Sequence, residues 1–137
     1  MNVLVLAQRG DQPGHDAALA FVEAATAGER PFCILPVVGS GVVRVSTHPR
    51  IFQEPTPLRD VLGFLDALRA RAPHIVLDEA AAWPVFSRVC RSYDARGNRV
   101  PDAYLAALAI ANGAALVTAD RGLARYTELS VEHPPGL

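Results

Sequence analysis

The stretch that decides the fold reads Gly97-Asn98-Arg99-Val100-Pro101-Asp102-Ala103-Tyr104-Leu105-Ala106-Ala107-Leu108-Ala109-Ile110, followed after a short break by Leu116-Val117-Thr118-Ala119-Asp120-Arg121. The first part predicts a strongly apolar helix over 100–112, with an acid, Asp102, in its first turn. The second part predicts a short strand over 114–118, and a second acid, Asp120, follows its C-terminal end. In an open α/β sheet, the C-terminal ends of the strands form the ligand crevice. The stretch therefore predicts an α/β fold with two carboxylates at its ligand-binding edge.

The rest of the chain alternates short apolar runs with longer amphipathic ones. Runs bounded by Pro, Gly or polar residues indicate strands, and apolar residues every three to four positions indicate helices. The predicted strands are 3–7, 32–35, 75–77, 114–118 and 129–132, and the predicted helices are 15–27, 37–46, 57–68, 80–93, 100–112 and 121–126. This alternation predicts a mostly parallel central sheet that is flanked by helices on both faces.

Composition is that of an ordinary globular domain. The chain has 137 residues, of which 50% are hydrophobic and 20% charged, so it is long enough for one domain with a real core. A net charge of -1 gives no general attraction to nucleic acid, so any such binding must come from local clusters of positive charge. All 13 basic residues are Arg. Codon bias in a GC-rich genome and selection for planar phosphate contacts both explain this choice, and the sequence does not separate them.

The two cysteines and the N-terminal region carry no signal for secretion. Cys33 and Cys90 are far apart and have no neighbours with metal-ligand spacing, so they fit neither a disulfide framework nor a zinc site. The N-terminal apolar run is short and has no charged start, which argues against a signal peptide. No apolar stretch approaches the length of a membrane span. We expect a cytoplasmic protein without membrane contact.

Each of the two acids has a structural explanation and a chemical one. Asp102 can be a first-turn acid that the helix macrodipole stabilises. Asp120 can be the N-cap of the short helix that begins at Arg121. Carboxylates that converge at the edge of a sheet are also good ligands for a hard divalent cation. Such a cation polarises a phosphoryl oxygen and activates a water molecule for phosphodiester hydrolysis.

Residues 97–126 resemble the PIN-domain ribonucleases and, within them, the VapC-type toxins of bacterial toxin–antitoxin pairs. The runs Gly97-Asn98-x-Val100-x-Asp102 and Thr118-x-Asp120-Arg121 carry the resemblance. It implies a PIN-like three-layer sandwich and a metal-dependent endoribonuclease that cleaves cellular RNA. It also implies Mg²⁺ (or Mn²⁺) as the cofactor, with Asp102 and Asp120 as catalytic and metal-binding residues and Thr118 in a supporting role.

Two departures from the family pattern concern its other acids. The family opens with Asp-x-Asn-x-Leu; Asn2 matches the Asn as a supporting residue, and the Asp would precede Met1. We therefore expect a single PIN-like domain over 1–137 that is truncated at its N-terminus. The family's Glu in the second helix is replaced here by Gly41. These departures leave open a catalytically impaired PIN-fold protein that acts as an RNA- or antitoxin-binding module.

The expected partners are an RNA substrate, a cognate antitoxin whose C-terminal tail covers the acidic site, and a second copy of the chain. Arg44, Arg50 and Arg121 are the candidate nucleic-acid-binding residues, although loop arginines also cap helix carbonyls. The resemblance implies the antitoxin and the homodimer.

One apolar surface bears on the homodimer, and one absent motif argues against another class of function. The apolar stripe Leu58, Leu62 and Leu65 suits either a homodimer interface or the core. A nucleotide-binding protein with a glycine-rich phosphate loop is disfavoured, because residues 8–14 contain neither GxGxxG nor a P-loop.

Overall fold

A computed structural model describes residues 1–137 and divides the chain into two compact units. Unit 1 is Met1–Val76 with Pro134–Leu137, and unit 2 is Leu77–His133. Unit 1 contains four helices: α1 (Asn2–Gln8), α2 (His15–Ala27), α3 (Pro36–Ser46) and α4 (Leu58–Arg69). Unit 2 contains helices α5 (Ala82–Ser92) and α6 (Val100–Ala111), strands β1 (Ala115–Val117) and β2 (Ser130–Glu132), and 3₁₀ segments Gly97–Arg99 and Arg121–Arg125. None of the helices has the length and apolarity that a membrane span requires.

The core of unit 1 forms where the apolar stripes of its helices meet. Val61, Leu65 and Leu68 of α4 are buried, as the helical spacing of that stripe predicts. On the same helix, Leu58 and Leu62 remain 55% and 43% exposed. The stripe is therefore divided between the core and the surface, and Leu65 belongs to the core.

The first element of unit 1 corrects the sequence analysis. The strand predicted over 3–7 is helical, and the Val5 N–H donates to the Met1 carbonyl at 3.1 Å. Val3, Val5 and Ala7 are buried, as expected of the continuous apolar run that indicated a buried strand. Burial was thus predicted correctly and backbone conformation was not. With no strand paired to this segment, its amide groups bond within a helix that packs against α2.

The strands predicted over 32–35 and 75–77 were also wrong in extent, because only one parallel bridge joins Phe32 and His74. The Phe32 N–H donates to the Pro73 carbonyl at 3.0 Å, and the Ile75 N–H donates to the Phe32 carbonyl at 2.8 Å. Pro36 starts α3 immediately afterwards, and proline has no N–H to extend a ladder. The proline positions therefore limit this pairing to a single bridge.

Unit 2 confirms the predicted parallel pairing and helical cover, although the sheet has only two strands. β1 and β2 run parallel with Ala115 opposite Ser130 and Val117 opposite Glu132. Ala103 and Ala106 of α6 are fully buried, and these small side chains let α6 pack closely against the neighbouring α5. Helices α5 and α6 and the 121–125 segment lie within two residues of their predicted bounds. The chain is thus α/β, with the two predicted acids on either side of β1.

Candidate active site

Asp120 is held in place by two hydrogen bonds, one to its carboxylate and one from its backbone N–H. It is the N-cap of the 3₁₀ segment Arg121–Arg125, and its Oδ1 accepts the Gly122 N–H at 2.7 Å. Its own N–H donates to Thr118 Oγ1 at 3.0 Å, and Thr118 is buried at the end of β1. A Cβ at position 122 would lie 3.0 Å from Asp120 Oδ1, so the glycine makes room for the cap. Thr118 therefore contacts the backbone of Asp120 directly.

Asp102 lies in the first turn of α6, where the helix N-terminus favours a negative charge. Pro101 occupies one of the first two helical positions, and Gly97 turns the preceding chain with a φ of 54°. The side chain is half-buried, beside the fully buried Ala103. The carboxylate is thus fixed at the rim of the unit 2 core by the start of a rigid helix.

Tyr126 connects the surroundings of the two acids. It follows directly on the 3₁₀ segment that Asp120 caps, and its side chain is buried with Ala103 and Ala106 of α6. Burial raises the pKa of Tyr126, and the negative charge of Asp102 raises it further. Tyr126 was not identified from sequence, because an aromatic residue near the C-terminus does not reveal which residues surround it.

The predicted arginines are divided between the two units. Arg121 is exposed and adjoins Asp120 in unit 2. Arg44, in the last turn of α3, and Arg50, in the loop after it, are exposed in unit 1. The Arg50 N–H donates to His48 Nδ1 at 3.0 Å, which shapes that loop. All three guanidinium groups are thus presented to solvent rather than used in the core.

The remaining predicted residue, Asn2, opens α1 in unit 1. Its Oδ1 accepts the Val3 N–H at 2.8 Å. Gly41 of α3 lies close to the chain start, because a Cβ at position 41 would be 2.5 Å from Met1 Sδ. Position 41, where the family has a Glu, therefore lies against Met1. The Met1 thioether occupies the space that a side chain at position 41 would enter.

A buried arginine in unit 1 was missed from sequence. Arg9 is only 6% exposed, and its guanidinium donates to Asp11, to the Glu54 carbonyl and to Thr56 Oγ1 at 2.6–3.0 Å. Its guanidinium carbon also lies 3.7 Å from the centre of the Phe52 ring. These contacts tie Arg9 and Asp11 to the 52–56 loop. An Arg two positions after an apolar run was the only signal, and it does not distinguish a buried side chain from an exposed one.

The donor chemistry of unit 2 fits a hard divalent cation. Asp102 and Asp120 offer carboxylate oxygens, and Mg²⁺ is commonly held by one or two carboxylates together with water and substrate phosphate. No group of three or more His, Cys, Asp or Glu side chains is placed to hold a metal ion. The arrangement suits a cation that keeps several water ligands and does not suit a closed site built from protein ligands alone.

Comparison with known proteins finds relatives that match almost the whole chain. Residues 2–129 match the PIN domain. Ribonuclease VapC25 of Mycobacterium tuberculosis is 33% identical over 136 residues, which cover 98% of this chain and 96% of the relative. Ribonuclease VapC43 of the same species is 36% identical over 135 residues, covering 98% and 92%. A VapC ribonuclease of Mycobacterium bovis shows the same identity and coverage. This chain belongs to the PIN-domain family and, within it, to the VapC group.

Proposed function

We propose that this chain is a metal-dependent endoribonuclease, the toxin of a toxin–antitoxin pair, which cleaves cellular RNA and is neutralised by a cognate antitoxin. Membership of the VapC group supports it, since the relatives are named ribonucleases. The observation that carries the proposal is the placement of two acids around β1, with Asp102 opening α6 and Asp120 capping the next 3₁₀ segment. Oxygen ligands on rigid elements are what a hydrolytic cation site requires.

Asp102 and Asp120 are the residues that would hold Mg²⁺ or Mn²⁺. When bound, such an ion polarises the phosphoryl oxygen and lowers the pKa of a water molecule for attack. Thr118 accepts the Asp120 N–H, and Gly122 donates to Oδ1, so these contacts fix the direction of the carboxylate. The exposed Arg121 is next to this acid and is suited to a phosphate of the RNA backbone. Arg44 and Arg50 are exposed cations of unit 1 and are candidates for RNA contacts on that unit.

The partner surfaces are proposed from exposed apolar groups. Leu58 and Leu62 of α4 and Val37 of α3 are 43–55% exposed. Exposed apolar residues on neighbouring helices suit a partner helix or a second copy of the chain. We assign this α3–α4 surface to protein partners, namely the antitoxin and a homodimer.

A second function has a specific observation in its favour. Met1 Sδ occupies the space that a side chain at position 41, where the family has an acid, would enter. Loss of a ligand weakens a metal site, because the remaining acids cannot set the coordination alone. A catalytically impaired PIN-fold module that binds RNA or the antitoxin therefore remains the alternative.

Cleavage of a mixed RNA pool with Mg²⁺ or Mn²⁺ separates the two functions. Four forms are compared: the chain itself, a form in which an added Asp and Met1 precede Asn2, that form with Asp102→Ala, and that form with Asp16→Ala. Asp16 is the matched control, because it is an exposed first-turn acid of α2 and loses the same macrodipole interaction.

We expect cleavage by the extended form and by its Asp16 variant, and its loss in the Asp102 variant. Cleavage by none of the forms, with RNA or antitoxin still bound, would establish the binding module instead.

A further inference from the structure

Unit 1 contains an open cavity that the proposed cleavage chemistry does not use. Its volume is about 380 Å³, and it is lined by Asp11, Gln12 and residues 51–54. This volume is at the lower end of the range for small-molecule pockets, so the cavity suits a single planar group rather than a larger ligand. The exposed Arg50 directly precedes Ile51, so the loop that forms this wall also carries a cation.

The aromatic ring of this cavity, Phe52, is fixed by a buried cation. The guanidinium carbon of Arg9 lies 3.7 Å from the centre of the Phe52 ring, and Arg9 does not line the cavity. Arg9 therefore covers one face of a half-buried ring that belongs to the cavity wall. Its bonds to the Glu54 carbonyl and to Thr56 Oγ1 keep it there. A ring held in this way is the kind of surface on which proteins stack unpaired nucleic-acid bases.

The two carboxylates of the cavity differ in what they already bind. Both oxygens of Asp11 accept from Arg9, at 2.9 and 2.6 Å, and Oδ2 also accepts from the Gln12 side-chain amide at 3.0 Å. The Glu54 carboxylate takes part in no hydrogen bond or ion pair, because Arg9 uses only the backbone carbonyl of that residue. Glu54 is therefore the carboxylate of this cavity that is available to a ligand.

A free carboxylate beside a stacking surface distinguishes between the four RNA bases. An ionised carboxylate only accepts hydrogen bonds, and its two oxygens match two donors that lie side by side. Guanine presents two adjacent donors on its Watson–Crick edge, N1–H and the N2 amino group. Adenine and cytosine present a donor beside an acceptor, and uracil presents a donor between two acceptors. Each of these three would therefore set a lone pair against Glu54, so the cavity favours guanine.

We propose that this cavity is a recognition site for an unpaired guanine of RNA, in which Phe52 stacks on the base and the Glu54 carboxylate accepts from N1–H and the N2 amino group. The exposed guanidinium of Arg50 is suited to the adjoining phosphate. The inference rests on the proposed function, which makes RNA the substrate, and adds a sequence preference to it. Contacts to phosphate alone position a nucleic acid, whereas contacts to a base select its sequence.

Binding of short RNAs in the absence of metal tests this site separately from cleavage. The probes are fluorescein-labelled uridine octamers with one central guanosine, inosine or adenosine, and fluorescence anisotropy in EDTA gives the affinity of the full chain for each. We expect the guanosine octamer to bind at least about tenfold more tightly than the adenosine octamer. The inosine octamer is expected to lie between them, because inosine keeps N1–H but lacks the N2 amino group.

Glu54→Gln assigns the preference to one side chain, with Glu23→Gln as the matched control. Glutamine keeps the size of the side chain but replaces one acceptor oxygen with a donor. Glu23 is an exposed acid of α2 in the same unit and lies outside the cavity lining, so its variant loses the same charge. We expect the preference for guanosine over adenosine to disappear in Glu54→Gln and to persist in Glu23→Gln.

The base-recognition site and the nuclease can fail separately. Equal affinity of the parent chain for the guanosine and adenosine octamers, binding of neither, or an unchanged preference in Glu54→Gln would overturn the site. A preference for guanosine that depends on Glu54, in a chain of which no form cleaves RNA, would instead uphold the site and overturn the nuclease.

Discussion

At the scale of single residues, Asp120 combines two functions that one substitution can separate. Its Oδ1 accepts the Gly122 N–H as an N-cap, while its charge is proposed to hold a cation. Asparagine caps about as well as aspartate but lacks the charge. Alanine removes both the cap and the charge.

We therefore predict that Asp120→Asn, made in the form with Asp added before Met1, keeps stability within about 0.5 kcal/mol while abolishing metal-dependent cleavage. Asp120→Ala is expected to lose cleavage and also about 1 kcal/mol of stability. Urea unfolding and RNA cleavage on the same preparations give both values. If Asp120→Asn cleaved RNA normally, Asp120 would be a cap and not a metal ligand.

The residue scale also shows how much of the site the sequence could predict. Asp102 and Asp120 were recognisable because Asp102 lies in the first turn of a helix and Asp120 follows a strand. Both elements have strong apolar patterns, so their ends could be located from sequence. Tyr126 was not recognisable, because only the three-dimensional structure shows that its buried hydroxyl lacks a hydrogen-bond partner. Arg9 was missed for the same reason, because its acceptors at Glu54 and Thr56 are far away in the chain.

At the scale of elements, α6 is held by small residues. Ala103, Ala106 and Ala107 are fully buried, so the helix has no room for larger side chains on that face. Because Asp102 opens this helix, the packing of α6 also determines where the acid lies.

Ala106→Leu is predicted to overpack this face and to cost about 1–3 kcal/mol. The shift of α6 should also reduce RNA cleavage, although the substitution touches neither acid. Ala24→Leu, on the exposed side of α2, is the control and should change stability by less than about 0.5 kcal/mol. Urea unfolding checks both variants, and equal stability of the two would show that the α6 face has space to spare.

Elements differ in how far sequence patterns determine them. The helices α2, α4, α5 and α6 were predictable because each carries its own periodicity and its own hydrogen bonds. Strands need partners that sequence does not reveal. The apolar run 3–7 predicted a buried segment, but this segment has no paired strand and is helical. The prolines near Phe32 and His74 limit the parallel pairing of these two segments to a single bridge.

At the scale of the whole molecule, stability should depend on the protonation of His74. Its Nε2 accepts the Ile34 N–H at 3.3 Å, and its ring meets Phe32 edge-on at 5.4 Å. Burial, with the nearby charge of Arg69, lowers the pKa of His74 below its ordinary value of 6.5. The folded protein therefore favours the neutral ring, and the unfolded chain takes up the proton first as the pH falls.

It follows that the contribution of His74 to stability is present above about pH 6.5 and is lost as the pH falls below that value. We predict a lower melting temperature at pH 5.5 than at pH 7.5, and a smaller difference in His74→Gln. His133→Gln serves for comparison, because that residue lies in unit 2 and its Nδ1 donates to the Thr118 carbonyl at 2.7 Å. Equal pH dependence in the parent chain and in His74→Gln would show that other groups cause the effect.

The proposed activity requires that Asp102 and Asp120 together hold the catalytic cation. Calorimetric titration with Mn²⁺ of the parent chain, Asp102→Asn, Asp120→Asn and the control Asp16→Asn tests it without knowledge of the RNA. We predict one bound Mn²⁺ in the parent chain and in the Asp16 variant, with affinity at least about tenfold weaker in each of the other two. Equal affinity in all four proteins, or no binding by the parent chain, would contradict the claim.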